Sequence, residues 1–423
     1  MVTNPAAAPR KRTPRSSGTR DFDVVLYGAT GFVGRQTVAW FAEHGSGLRW
    51  ALAGRDAARL EAVRTASGAT QAGLILADAG DEAALAAQAG QTRVVLSTAG
   101  PFALYGSKLV AACVAQRTHY VDITGETPWV RTLIDRHHEQ AAAEGTRIVP
   151  GCGFDSVPSD LGAFLVASAL RERHGQACAS VKACFSIRGG LNGGTLASLL
   201  NILESGQASQ VADPFLLNPA GTAPADVRRH ADPVAPHRDA DFDAWVGPFF
   251  MGPINTRVVR RSAALAKGTR QPIYGADFAY REYLRFGRGP VAALAAAGMS
   301  IGGAAGQSAL RLDAVRRMAR ALAPAPGQGP SQRSMDGGSF RCELVGRGVG
   351  GAIVRGLIAD RGDPGNRATT KFVCESALAL ACDGDSLPGG AGFGGVLTPA
   401  SAFGRVLARR LAAAGMKIDP LPA

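Results

Sequence analysis

The feature that most constrains this chain is a glycine loop set between an apolar strand and a helix. Residues 23–27 form a short β-rich run, Gly28-Ala29-Thr30-Gly31-Phe32-Val33-Gly34 follows at once, and a helical pattern opens near Val33. With 54 glycines in 423 residues the spacing alone proves little, so its weight comes from its position. Gly28 permits a tight turn out of the strand, Gly31 lets the backbone approach a ligand, and Gly34 allows close helix–strand packing.

Beyond the loop, apolar runs at 50–53, 74–76 and 94–96 alternate with helical patterns at 33–44, 56–67, 81–89 and 105–116. Further runs at 119–123 and 147–149 flank a helix at 128–143. Six strands in βαβ alternation predict an α/β fold whose N-terminal part is a Rossmann-type, doubly wound parallel sheet. The length calls for more than one domain. We expect a basic disordered tail at 1–20, a dinucleotide-binding domain at 21–155, a mixed α+β substrate domain at 156–395 and a C-terminal segment at 396–423 whose helix returns to the first domain. In the second domain, strand-like runs at 180–187, 256–259, 339–345 and 351–359 predict a smaller sheet, and the Pro-rich 320–334 stretch predicts a mobile loop.

A glycine loop at a helix N-terminus presents orphan N–H groups and the positive end of the helix dipole to a pyrophosphate. The expected cofactor contacts there are Gly28, Thr30, Gly31, Phe32, Val33 and Gly34. Where the second strand ends, the acid that would bond a ribose 2′-hydroxyl is replaced by Arg55 in Leu52-Ala53-Gly54-Arg55. A guanidinium fork suits a 2′-phosphate, so NADP(H) is favoured over NAD, with Asp56 as ribose ligand the alternative. Arg35 is a candidate second phosphate contact. Asp78 is placed to meet the adenine or to cap the next helix, and Ala99, Gly100 and Pro101 to lie against the nicotinamide ribose.

The formal charge of +12 does not by itself point to nucleic acid, because Arg10, Lys11, Arg12, Arg15 and Arg20 fall in the first twenty residues and no nucleic-acid motif is present. Seven dispersed cysteines without a CxxC pair, and histidines without ligand spacing, predict reduced thiols and no metal. Residues 289–310 carry no charge over twenty-two positions, yet Ala and Gly dominate them. A spanning helix, a lipid-facing element and a buried, closely packed helix all stay open.

GATGFVG at 28–34, AGR at 53–55, STAGPF at 97–102, YVDITGE at 120–126, GCGFDSVPSD at 151–160, GGT at 193–195 and GGVLTPA at 394–400 together resemble the saccharopine dehydrogenase-like oxidoreductases, and within them the branch of the trans-acting enoyl reductases. The resemblance covers nearly the whole chain after residue 21. It implies a discontinuous second domain, a C-terminal helix at about 399–415, and polar roles near the nicotinamide for Asp155 and Ser156. A reductase also needs a proton donor; Tyr105, Asp122, Glu126 and Asp155 are the candidates, with Asp155, Ser156 and Tyr105 preferred as catalytic. The expected activity is NADPH-dependent reduction of a lipid or polyketide-like acyl substrate. A saccharopine-type dehydrogenase acting on a C–N bond and a non-catalytic, membrane-associated NADP-binding protein stand as alternatives. A cytoplasmic location is expected, with peripheral contact at the inner face of the plasma membrane and a homodimer left open.

Overall fold

Strand β1 (Phe22–Tyr27) is apolar at successive rather than alternate positions, with Val24, Val25 and Leu26 at most 1% exposed. Such a run belongs in the middle of a sheet covered on both faces, where each buried side chain contributes about 2 kcal/mol. The computed structural model describes residues 20–189, 208–224, 226–268, 272–309, 312–322 and 328–420. The GGT motif at 193–195, the tail up to residue 19 and residues 323–327 of the Pro-rich stretch lie outside these.

Around β1 run β2 (Trp50–Gly54), β3 (Gly73–Leu76), β4 (Thr92–Ser97), β5 (His119–Asp122) and β6 (Arg147–Val149), all parallel. The strand order is β3-β2-β1-β4-β5-β6, the doubly wound order, and a late strand, Gly395–Val396, adds a seventh member beside β6. The intervening helices are α1 (Phe32–His44), α2 (Ala57–Ala66), α3 (Glu82–Gln91), α4 (Phe102–Tyr105), α5 (Ser107–Ala115) and α6 (Thr127–Ala143). Asp56 and Asp81 cap α2 and α3 through bonds of 3.0 Å from Arg59 N and Ala84 N. Arg20, counted with the tail by composition, is anchored instead: its guanidinium donates to the carbonyls of Ala89, Thr92 and Gln116 at 2.6–2.9 Å.

After α7 (Val157–His174) the chain builds a second seven-stranded sheet. Its strands are β7 (Cys178–Arg188), β8 (His237–Asp239), β9 (Ala244–Pro248), β10 (Tyr274–Gly287), β11 (Ser339–Gly348) and β12 (Ile353–Arg361), with β13 naming the late Gly395–Val396 strand of the first sheet and β14 (Lys417–Asp419) pairing with β12. The pairing is mixed, since β10 runs parallel to β7 and the rest are antiparallel. This sheet is as large as the first, not smaller.

The strand expected at 256–259 is a correction. Those residues lie inside helix α8 (Gly252–Leu265), opened by Pro253 in its first turn. The β-branched pair Val258-Val259 suggested extended structure, but Arg257, Arg260 and Arg261 fall one turn apart and are buried together. Two further helices, α9 (Gly289–Ala309) and α10 (Asp313–Leu322), follow β10; α11 (Thr369–Cys382) and α12 (Pro399–Ala413) complete the set used below. Helix α11 packs on β1, β4 and β5, and α12 on α7 and α11, so one apolar cluster runs from Leu26 and Val94 through Phe403 to Phe185 and Leu344. Both sheets therefore share a core, and the carboxyl edge of the first faces α8. No helix is long and apolar enough to cross a membrane among the described residues.

Candidate active site

At the end of β1, Gly28 adopts φ +81°, and a Cβ there would sit 2.9 Å from the amide nitrogen of Ala99. The glycine loop and the loop after β4 are therefore in contact. A Cβ at Gly34 would lie 2.2 Å from the Gly28 carbonyl oxygen, so the third glycine is required by packing. Helix α1 starts at Gly31 with no side-chain cap, which leaves the first-turn N–H groups near Phe32 and Val33 for a ligand. Arg35 does not reach outward as a free phosphate contact: its Nη1 donates to Thr30 O at 2.9 Å and fixes the loop. Gly329 rests against the Phe32 ring, bringing one residue of the Pro-rich stretch over the motif.

The ribose end is also open. Arg55 is exposed just beyond β2, and no hydrogen bond or salt bridge is formed by its guanidinium among the described residues. Asp56, the alternative ribose ligand, caps α2 through its Oδ1. Asp78 accepts from Gly80 N at 2.8 Å in a turn, while Asp81 does the capping. Burial, then the Asp78 charge, push the Tyr27 phenol up to about 12, with Arg55 acting oppositely; the three side chains share one corner. Arg59, one turn on in α2, is a second exposed cation here. Its i, i+4 spacing from Arg55 was the available signal and the sequence reading missed it.

Two of the three carboxylates among the proton-donor candidates are structural. Glu126 accepts from Phe102 N (2.8 Å) and Ala103 N (3.0 Å), capping α4 just after Ala99, Gly100 and Pro101. Asp122 is fully buried and accepts from Thr124 N, Gly151 N and the Tyr120 hydroxyl at 2.8–3.0 Å, joining the loops after β5 and β6. Burial pushes its carboxyl up to about 7 against the pull of these bonds. Tyr105 is 47% exposed at the end of α4, and the structure does not bring it into the cavity described next.

Asp155 is different. Its Oδ2 lies against Gly125, 3.5 Å from where a Cβ would stand, with Ile254 of α8 on the same side. One edge reaches solvent, no donor bonds the carboxylate among the described residues, and the surrounding protein raises it to about 7 by desolvation. Ser156, next in the chain, is fully buried and its Oγ has no hydrogen-bond partner among the described residues. That hydroxyl lines a small cavity with Thr124, Gly151, Ile254, Val258 and Leu397. The walls supplied by α8 and by Leu397 were not legible as site residues in the sequence. A contiguous path thus runs from Gly28 and Ala99, through Phe102 and Glu126, to Gly125 and Asp155.

Of the arginines of α8, Arg261 lines this cavity, with its terminal nitrogens held by main-chain carbonyls and its Nε without a partner among the described residues. Arg257 donates to Val211 O and Asp213 O and pairs with Asp232. Arg260 donates to Pro214 O and His230 O, and Arg261 to Leu217 O and Val396 O. No group of three or more His, Cys, Asp or Glu is arranged to hold a metal ion among the described residues.

Comparison with known proteins agrees with this geometry. The saccharopine dehydrogenase NADP binding domain matches residues 24–149. A trans-acting enoyl reductase of Mycobacterium tuberculosis is 38% identical over 95% of this chain and 98% of its own length. A trans-acting enoyl reductase of Mycobacterium ulcerans is 38% identical over 96% of this chain and 99% of its own. In fold, the chain is similar to saccharopine dehydrogenase (L-Glu forming) from Saccharomyces cerevisiae, with a TM-score of 0.53 and 12% identity over 94% of this chain and 99% of that one. The open first turn of α1 and the unpaired Arg55 fit the NADP(H) that the matched domain binds.

Proposed function

Because the chain belongs to the saccharopine dehydrogenase-like family of NADP-dependent oxidoreductases, in its trans-acting enoyl reductase branch, we propose that it reduces the carbon–carbon double bond of an α,β-unsaturated acyl thioester from lipid or polyketide-like synthesis. The single observation that carries the assignment of the chemistry is the Asp155 carboxyl, set against Gly125 with no donor among the described residues and raised to about 7 by burial.

NADPH, when bound, supplies the hydride. Gly28, Thr30, Gly31, Phe32, Val33 and Gly34 would hold its pyrophosphate, Arg55 its 2′-phosphate and Asp78 its adenine end, and Ala99, Gly100 and Pro101 would lie toward the nicotinamide ribose. Asp155 keeps a proton near neutral pH and delivers it to the α-carbon as the β-carbon accepts the hydride. The Ser156 hydroxyl donates to the thioester carbonyl oxygen, stabilising the enolate-like charge that develops there. Ile254, Val258 and Leu397 give the acyl chain an apolar wall.

A C–N dehydrogenase handling a substrate with several carboxylates would need free arginines in the cavity. Arg257 and Arg260 of α8 are held by main-chain carbonyls and Asp232, and Arg261, which lines the cavity, has both terminal nitrogens on carbonyls, leaving one Nε rather than a cluster of guanidinium groups. The test is a substrate panel followed by NADPH oxidation: trans-2-enoyl thioesters of increasing length against amino acids paired with carbonyl compounds. We expect turnover with the enoyl series only, with kcat/KM rising about fourfold per methylene until the apolar wall is filled. Turnover confined to the amino-acid series would overturn the assignment.

A further inference from the structure

Helix α9 is built inside out. Its small residues Ala292 and Ala296 are buried where it packs on β9 and β10, and Ser300 on the same side lies near Gly247. Its large apolar residues point away from the protein: Val291 is 78% exposed, Leu294 74% and Ile301 71%. At 100° per residue these three lie on the side opposite Ala292 and Ala296. Burial of its uncharged sequence within the fold is therefore not what this helix does, which corrects one of the open expectations.

Further apolar side chains are exposed along the chain beyond the helix. Leu312 is exposed, and so is Met318 of α10. Val315 and Met318 fall on one side of α10, and Arg316 and Arg317 on the other. From 311 to 320 the sequence holds Arg311, Arg316, Arg317 and Arg320 against one acid, Asp313. Large apolar side chains exposed together on one face of a helix mark an interaction site. Apolar side chains flanked by guanidinium groups are the pattern of elements that lie in a membrane interface, the apolar groups among acyl chains and the cations among anionic headgroups.

We propose that α9 and α10 form a docking surface for a bilayer carrying anionic headgroups, with Val291, Leu294, Ile301 and Met318 entering the interface and Arg317 meeting the headgroups. The charge of the patch selects this occupant over a second copy of the chain, whose own α10 would bring arginines to face arginines across a symmetric contact. The surface is separate from Asp155 and Ser156, so the inference does not depend on the reaction assigned to them.

The test is co-sedimentation of the full chain with vesicles of phosphatidylglycerol mixed with phosphatidylcholine, and with phosphatidylcholine alone. Binding is expected to the mixed vesicles only and to weaken as salt rises. A Leu294→Asp/Ile301→Asp variant, which keeps the basic tail, should lose it by about tenfold or more while NADPH still raises the unfolding temperature as in the parent. Arg317→Glu should weaken it about fivefold or more. Equal sedimentation of the double variant, equal binding to both vesicle types, or no binding would overturn the proposal. So would a dimer in sedimentation velocity that the double variant dissociates, without vesicle binding by either form.

Discussion

Asp155→Asn should lower kcat for enoyl thioester reduction by about 10²- to 10⁴-fold, the range for loss of a positioned general acid. The amide keeps the size of the side chain and, since no donor bonds the carboxylate among the described residues, removes no structural bond. NADPH-induced thermal stabilisation should therefore stay within experimental scatter of the parent. The pH profile carries the sharper signature. A carboxyl raised to about 7 is protonated below that value and serves as an acid there. In the parent, kcat should be level below about pH 7 and fall tenfold per unit above it. In Asp155→Asn that slope should vanish, leaving a low, flat rate. A variant that loses activity but keeps the parent's slope would move the acid elsewhere.

Arg55→Asp should separate the two nicotinamide cofactors. Charge-assisted hydrogen bonds to a phosphate contribute about 1.5–3 kcal/mol each, and the substitution also places a carboxylate against the 2′-phosphate. NADPH affinity should fall by about 100-fold or more, while NADH, which has only a 2′-hydroxyl to offer, should change by less than about threefold. Arg55 is exposed and Asp56 keeps the cap of α2, so the fold is untouched by the change. Equal loss for both cofactors would mean that Arg55 does not meet the 2′-phosphate.

The first sheet could be read from sequence because its signals are local. Each strand is a short apolar run, each helix follows within a few residues, and Gly28, Gly31 and Gly34 sit where the backbone has no room for a Cβ or needs an uncapped helix start. The second sheet obeys other rules. Its longest strand, β10, carries Asp277, Arg281, Glu282 and Arg285, a charge pattern that argues against a strand. Glu282 is nevertheless buried there, because Ser159, Asn255 and Tyr280 donate to it at 2.8–2.9 Å. These partners lie up to 123 positions away, so no window of sequence shows them.

Helix α8 was misread for a related reason. Val258-Val259 suggested a strand, and only the folded chain shows the flanking arginines threaded into the carbonyls of residues 211–217, 230 and 396. The site divides along the same line. Asp155 and Ser156 were singled out through the GCGFDSVPSD motif, and the structure sets them beside one cavity. Asp122 and Glu126 share their polarity but prove to be internal acceptors, a distinction that depends on which amides fold back onto them. Tyr105, the last residue of the short helix α4, is half-exposed and does not line that cavity.

The central claim, reduction of an enoyl thioester by hydride from NADPH with a solvent-derived proton passed through Asp155, is tested most directly by isotope placement. The enzyme is run with a long-chain trans-2-enoyl thioester and NADPH deuterated at the nicotinamide C4, once on each face, and the product is examined by mass spectrometry and NMR. We predict a saturated thioester with deuterium at C3 from one of the two labelled cofactors, and deuterium at C2 only when the reaction is run in deuterium oxide. Recovery of unreduced thioester with every labelled cofactor, under conditions where NADPH binds, would contradict the account.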